Sequence, residues 1–520
     1  MHKKLLTLAF IEGGLVMLLE TASPIIVAPV LGHSVMIWAI MLCLSIGSLA
    51  VGYFLGGWLS KKERSYSFLL NLFSINSTII FIGWLLLILQ NSSSSDLVTP
   101  AYSFLIILFL LILPLIFFGT STPLIISLLV NTDNIKSSIT GDVFSISTIG
   151  GVFFSLITGY FLIDNLGVSH TILIALLISL MMWFLYQIKN KFIIKSVFGG
   201  CILIFSIFFL VKKPEMTSVK DFKVLHFSEG ITGQLIVTDF IENDQNHRIL
   251  LINRMGQTKI NLNTNFSDWS YVNYLTSAAS IFPAGSKTLV LGLGGGILPK
   301  QIKKFIGHDV DAVELDERII EISDTYFSDT DTKVNIYADD ARRFVKTTES
   351  KYDFIVLDIF NGEIMPSHGL SKEAFEDLET ILKPNGLIAI NFNGFINGKE
   401  GIAGRSLIRT LKSAGYKVSL FDTGAGKEKE KDRNMLYFAS KDKVDWEKVK
   451  VHTIFEGSEY KIGEHLFSLS SVDLKDSYLI TDDRPIMEYI NRYAANSWRK
   501  SYLESYTKKF KKEYNLPLVH

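Results

Sequence analysis

The stretch Thr288-Leu289-Val290-Leu291-Gly292-Leu293-Gly294-Gly295-Gly296 reads as a short apolar strand running into a glycine-rich turn. Glu314 ends a second apolar run 18 residues beyond the last of these glycines. A glycine turn after a strand lets backbone approach a ligand closely, and an acid at the next strand end accepts hydrogen bonds from ribose hydroxyls. Working outward, helical and extended patterns alternate: helix 298–306, strand 309–315, helix 317–326, strand 334–338, helix 341–347 and strand 354–358. After a loop at 359–370 come helix 372–382, strand 386–392, helix 403–414 and strands 417–421 and 434–440. The alternation predicts a doubly wound, Rossmann-like α/β domain with a largely parallel sheet.

Ligands of such sheets bind at the carboxyl ends of the strands. Gly292, Gly294 and Gly296 shape the turn, Glu314 ends strand two, Asp339 and Asp340 follow strand three, and Asp358 ends strand four beside the expected cleft. A tight turn with helix-capping acids is the plainer account of any one of these. The four in order favour an adenosine-type site, and the closely spaced glycines suit an S-adenosyl ligand better than the Gly-x-Gly-x-x-Gly of dinucleotide sites.

Upstream, the patterns at 223–229, 233–239 and 248–252 read as short strands, the last two joined by the turn-prone Glu242-Asn243-Asp244-Gln245. They predict a small antiparallel β unit. Before that the composition changes: only 16 of 102 charged side chains precede Lys212. Apolar stretches at 5–31, 36–59, 68–89, 102–130, 143–162, 172–186 and 192–211 are mostly near the ~20 residues that a helix needs to cross a bilayer. The sixth is short and the seventh carries Lys195. The expected organisation is a transmembrane domain of six to seven helices at 1–212, a β unit at 213–285, a cofactor-binding domain at 286–495 and a basic tail at 496–520.

Glu12 and Glu20 within the first stretch, and its length, argue against a cleaved signal peptide. Lysine and arginine mark cytoplasmic loops. Lys3, Lys4, Lys61, Lys62, Arg64, Lys136, Lys189 and Lys191 all fall at alternate span ends, so the amino terminus is expected inside. Six crossings then leave the following domain cytosolic, and seven put it outside. A cofactor made in the cytosol favours the former.

Glu12 and Glu20 lie ~80° apart around a helix. They either pair with polar groups between helices or mark an ion or substrate path. Pro114 and Pro123 are expected to kink the fourth span. Zero net charge and the lack of a basic, aromatic-interleaved stripe disfavour nucleic-acid binding, and no nucleic-acid partner is expected. Cys43 and Cys201, the two cysteines, both lie in apolar stretches, so no disulfide framework or cysteine zinc site is expected beyond them.

These residues resemble the spermidine synthase, or polyamine aminopropyltransferase, family in its membrane-fused form. Leu251-Ile252-Asn253-Arg254-Met255-Gly256-Gln257 is similar to the family's strand ending in a glutamine that contacts the thioadenosine ligand. Tyr271 stands where a substrate-site tyrosine is found, 290–296 resembles the glycine loop, and Val313-Glu314-Leu315-Asp316 resembles the ribose-binding strand end. Ala338-Asp339-Asp340-Ala341-Arg342 is similar to the adenine-contacting segment, and 352–358 to the strand that delivers a catalytic aspartate. Glu12-Gly13-Gly14, 52–57 and 140–151 look like the multi-pass domain that precedes this enzyme in bacteria.

The resemblance implies transfer of an aminopropyl group from decarboxylated S-adenosylmethionine to a diamine such as putrescine, with Asp358 as the base. It implies an inner-membrane protein whose partners are lipid and a small polyamine, with a homo-oligomer left open. The chain departs from the family pattern at Gly295, where the loop usually has an aspartate for the cofactor's amino group. It departs also at Asn361, the second acid of the Asp-x-x-Asp segment, and at Val272, where a histidine is expected beside the tyrosine. Two other functions stay open: a methyltransferase using intact S-adenosylmethionine, and a transport or sensing protein that binds a polyamine or adenosine ligand.

Thr481-Asp482-Asp483-Arg484-Pro485 either forms a capped turn or closes over the cleft to supply an acid. His368 lacks a second ligand at metal-binding spacing, so no metal is expected. No nucleophile-elbow motif appears. The aromatic, basic stretch from Trp498 reads as a solvated helix or one that touches a membrane surface.

Overall fold

The computed structural model describes residues 2–62, 66–92, 99–130, 136–189, 204, 216, 218–219, 221–328, 332–360, 365–423, 434–446, 449 and 466–513. They divide into two compact units: Met1–Val219 with His226–Leu235 and Thr507–His520, and Lys220–Leu225 with Ile236–Tyr506.

The first unit is helical. Helices α1 (His2–Leu31), α2 (Val35–Leu59) and α3 (Tyr66–Ser92) precede α4 (Pro100–Ile107) and α5 (Leu113–Val130), which a π-helical turn at Leu108–Ile112 joins. Helix α6 (Lys136–Ile157) runs through a second π-helical turn, Thr158–Leu162, into α7 (Ile163–Lys189). Five helices among the described residues are long and apolar enough to cross a membrane. The fifth spans 44 residues and breaks at Gly167, where φ is +80°. Two of the expected stretches are therefore the arms of one broken helix, while 192–211 lies outside the described residues. The π turn just before Pro114 shows how the chain meets the missing N–H there, by widening one turn.

Small residues let these helices approach backbone to backbone. A Cβ on Gly150 of α6 would lie 2.0 Å from the Phe10 carbonyl oxygen of α1, and one on Gly13 would lie 2.1 Å from the Ser147 carbonyl oxygen. Such contacts suit helices that associate by packing rather than by hydrophobic burial. Phe54, Ile149, Phe153 and Tyr160 point outward and are exposed. At the break, Glu229 of segment 226–235 accepts hydrogen bonds from the Ser169 N–H (2.9 Å) and hydroxyl (3.1 Å), capping the second arm of α7, and Asp164 accepts from the Ile231 N–H at 3.1 Å. Segment 226–235 is thus bonded to the lysine-free end of the helices.

After the helices comes a sheet in the order β1-β2-β3-β4-β5-β6: β1 (Ser218–Val219), β2 (Phe222–Gly230), β3 (Gly233–Glu242), β4 (Gln245–Ile252), β5 (Met255–Asn261) and β6 (Phe266–Ser267). Asn243 and Asp244 carry φ of 51° and 59°, the geometry of the expected two-residue hairpin. A second such turn, at Asn253 (φ 49°) and Arg254 (φ 64°), corrects one expectation: 251–257 is not one strand ending in Gln257. Asparagine tolerates the left-handed region, so the chain reverses there and Gln257 falls inside β5.

Helix α8 (Ser270–Ala279) leads to the α/β sheet, whose strands are β7 (Lys287–Leu291), β8 (Asp309–Glu314), β9 (Asn335–Ala338), β10 (Tyr352–Leu357), β11 (Leu382–Asn393), β12 (Lys417–Asp422), β13 (Asn434–Ser440) and β14 (Leu466–Phe467). Between them run α9 (Ile297–Gln301), α10 (Glu317–Tyr326), α11 (Ala341–Thr347), α12 (Lys372–Ile381) and α13 (Ile402–Ser413). The spatial order is β14-β12-β13-β11-β10-β7-β8-β9, parallel from β11 to β9, with β13 antiparallel to β11. Buried Leu289, Ile355, Ile388 and Ile390 bind the sheet to its helices. The chain winds outward in opposite directions from β7 and β10, so the switch point, where open α/β sheets form their binding crevice, lies between these two strands.

Helix α14 (Met487–Glu513) runs through residues 495 and 496, where the sequence suggested a boundary. Arg499, which is buried, donates to the Asn253 carbonyl at 3.3 Å. The start of the tail therefore packs on the β4–β5 turn instead of standing in solvent.

Candidate active site

Gly292 leaves β7 with φ of 95°, and a Cβ there would lie 2.2 Å from the carbonyl oxygen of Asp358. Only glycine allows both the turn and that approach. The Gly292 N–H donates to the Val313 carbonyl at 2.9 Å and the Asp358 N–H to the Leu291 carbonyl at 2.8 Å, so β7, β8 and β10 end at one level. Gly294 and Gly296 also take positive φ, 53° and 72°.

Glu314 anchors the loop from the next strand. One carboxylate oxygen accepts from the Leu293 N–H at 3.1 Å and the other from the Asp316 N–H at 3.0 Å. Each oxygen keeps a lone pair for a ligand hydroxyl. Burial raises the pKa of this carboxyl, and the backbone donors work against that rise.

Asp339 ion-pairs with Arg343. Asp340 caps α11 by accepting from the Arg343 N–H at 2.9 Å and lies 3.7 Å from His368 Nε2. Gln257 borders the loop from β5: its carbonyl oxygen lies 3.7 Å from where a Gly294 Cβ would stand, and the Thr258 hydroxyl accepts from the Gly295 N–H at 2.8 Å. A side chain at position 295 would drive its Cβ to 2.7 Å from Thr258 Cγ2 and 3.1 Å from the Phe327 ring. Asn361 lies outside the described residues.

At the switch point, Asp358 receives two donors. Tyr271, in the first turn of α8, gives its hydroxyl to Oδ2 at 3.3 Å, and Asn391 gives its amide to Oδ1 at 2.7 Å. Burial raises the Asp358 pKa, opposed by the Asn391 and Tyr271 hydrogen bonds, and burial beside Asp358 drives the tyrosine well above its ordinary value. Trp269 stacks on Tyr271 with ring centroids 6.1 Å apart. Asn434 of β13 in turn donates to Asn391 Oδ1 at 2.7 Å and Asn393 Oδ1 at 2.6 Å, which fixes the amide orientation toward Asp358. Asn391 escaped the sequence reading. Its signal was a polar residue near the carboxyl end of the apolar run 386–392.

The other candidates resolve as structure. Asp482 accepts two bonds from Arg342, at 2.6 and 2.7 Å, and one from Ser371 at 2.6 Å, while the Arg484 N–H closes a turn on the Thr481 carbonyl. Among the described residues no cluster of three metal-ligating side chains occurs. The cleft therefore joins a glycine cradle, a ribose-competent carboxylate and a buried carboxylate held by neutral donors. That set fits an adenosine ligand with an amine beside it.

Residues 271–403 match the spermine/spermidine synthase domain model. A polyamine aminopropyltransferase of Vibrio vulnificus is 32% identical over 22% of this chain and 41% of its own length. An N-terminal histidine N-methyltransferase of Emericella nidulans is 34% identical over 30% of this chain and 28% of its own. The chain thus spans less than half the length of either relative. Among solved structures, a probable spermidine synthase from Corynebacterium glutamicum is 19% identical, with a TM-score of 0.37 over 44% of this chain and 82% of that one. Residues 271–403 thus carry a spermine/spermidine synthase domain.

Proposed function

We propose that this chain is a membrane-embedded polyamine aminopropyltransferase. It moves the aminopropyl group of decarboxylated S-adenosylmethionine to a diamine such as putrescine. The observation that carries this reading is Asp358, buried at the switch point and held by Tyr271 and Asn391 beside the glycine turn. An ammonium group cannot attack carbon until it loses a proton, and Asp358 accepts it. The freed amine nitrogen bonds to the propyl carbon next to the sulfonium, the carbon–sulfur bond breaks with its electron pair going to sulfur, and neutral methylthioadenosine leaves. Glu314 takes the ribose hydroxyls, Gln257 and the loop of Gly292, Gly294 and Gly296 border the thioadenosine, Asp339 and Asp340 flank the adenine, and Tyr271 lines the amine side, with Asn361, outside the described residues, as a further candidate for the amine. Positioning two reactants in one cleft supplies much of the acceleration.

Crowding at Gly295 favours a second reading. No carboxylate can reach the cofactor's amino group from that position without displacing Thr258 or Phe327. Intact S-adenosylmethionine balances its amino group with its own carboxylate, so a methyltransferase depends less on an acid at that position. Titration calorimetry of the full chain with both cofactors separates the two: tight binding of the intact form alone supports methyl transfer.

The outward apolar faces at Phe54, Ile149 and Phe153 support lipid contact in a bacterial inner membrane. For topology, two observations pull apart. Supply of a cytosolic cofactor favours six crossings, whereas the bonding of segment 226–235 to the lysine-free end of the helices supports an extracytoplasmic place for that segment. A reporter fused at the carboxyl terminus reads the side directly, and a cytosolic signal keeps the aminopropyl reading supplied with its cofactor.

A further inference from the structure

We propose that Glu12 is a proton-binding site inside the helical unit, loading and releasing one proton where α1, α5 and α6 meet. This inference is independent of the chemistry assigned to the α/β unit. Glu12 lies ten residues into α1, about 15 Å along its axis, and is only 2% exposed. Thr122 of α5 donates its hydroxyl to Oε1 at 2.9 Å and Ser147 of α6 donates to Oε2 at 3.5 Å. Among the described residues no lysine or arginine pairs with it.

A carboxylate removed from water without a cation costs several kcal/mol, and two neutral hydroxyls offset part of that. A bound proton removes the charge instead. Hydroxyls suit such a site because each donates to the carboxylate and turns to accept from the carboxylic acid. The Thr122 spacing is that of a direct hydrogen bond and Ser147 stands at the outer limit of one, which leaves both oxygens of Glu12 beside a hydroxyl, the geometry of a proton site. The glycines that bring the helices together place these groups: Gly13 allows Ser147 to approach α1, and a Cβ on Gly13 would lie 2.4 Å from the serine hydroxyl. Pro123, next to Thr122, leaves the Gly119 carbonyl without its intrahelical donor, which gives α5 a bending point at the site.

The surrounding titratable groups do not supply a counter-charge. Helix α5 has none. Tyr53 of α2 lies within electrostatic reach of Glu12, and Cys43 of the same helix is exposed. Asp142 of α6 is exposed, Asp164 of α7 accepts from Ile231, and Glu20, His2, Lys3, Lys4, Tyr102, Tyr160 and His170 occupy other levels of α1, α4, the second π turn and α7. Loss of the proton would leave a bare charge in the α1–α6 seam and demand water there, so proton occupancy biases how tightly the seam closes.

The test is infrared difference spectroscopy of the full-length protein in lipid, titrated from alkaline to acid pH. A protonated-carboxyl band is expected that shifts in deuterated water, is lost in Glu12→Gln and persists in Glu20→Gln. In Glu12→Asp, which keeps a carboxyl if the glutamine variant folds poorly, the band should persist at a changed frequency. A Glu12→Gln spectrum that retains every titrating carboxyl band overturns the proposal. So does a Glu12 signal that responds to sodium ions and not to pH.

Discussion

Tyr271 and Asp358 stand 87 positions apart in sequence, and the tyrosine hydroxyl donates to Asp358 Oδ2 at 3.3 Å. The contact joins α8, ahead of the parallel sheet, to the end of the strand on one side of its switch point. If Asp358 is the base, Asp358→Asn should lower turnover by about 10²–10⁴-fold and leave cofactor affinity nearly unchanged. Steady-state rates with calorimetric binding on the same preparations check both halves of that statement.

Activity should fall as pH drops, because a base works only when ionised. Burial raises the Asp358 pKa, so the acid limb should lie above the range of an ordinary aspartate. Asn391 and Tyr271 hold that pKa down. Asn391→Leu and Tyr271→Phe should therefore each move the limb to higher pH. A pH–rate profile reads the direction, and a limb that stays in place or moves down removes these residues from the control of Asp358.

Gly292→Ala should disrupt the loop. The added Cβ meets the Asp358 carbonyl at 2.2 Å and must adopt a φ of 95°. Such backbone strain costs about 1–3 kcal/mol, and cofactor affinity should fall with thermal stability. Gly295→Asp should likewise lose stability instead of gaining affinity for the decarboxylated cofactor, given the approach to Thr258 and Phe327. Tighter binding by that variant would show that the pocket adapts.

Truncation after residue 495 should destabilise the β unit, because it removes Arg499 from the Asn253 carbonyl and Tyr502 from the space over Gly256. Arg499→Ala alone should cost about 1.5–3 kcal/mol, the range for a hydrogen bond from a charged group. Differential scanning fluorimetry of the full chain measures it.

The α/β half was legible because strand, glycine turn and helix repeat with a clear period. The expected helices 317–326 and 341–347 coincide with α10 and α11, and the expected strand 434–440 with β13. Acids at strand ends mark a cleft whatever their neighbours are. What stayed hidden depends on long-range pairing. Asn391 meets Asp358 only because β11 lies beside β10, and the turn at Asn253-Arg254 shows only in its positive φ values. Strand β11 also begins early, since Asn385 at φ 60° bulges the segment ahead of the apolar run. In the helical half, hydropathy marked the spans and left Gly167 in the gap between the stretches 143–162 and 172–186, but it did not show that the chain stays helical up to the break on both sides.

The most direct test incubates the full-length protein with decarboxylated S-adenosylmethionine and putrescine and follows methylthioadenosine release. Wild type should release methylthioadenosine in step with the aminopropylated amine, and Asp358→Asn should bind the cofactor yet release methylthioadenosine about 10²–10⁴-fold more slowly. Binding of intact S-adenosylmethionine alone, with no methylthioadenosine formed, would contradict aminopropyl transfer at this site.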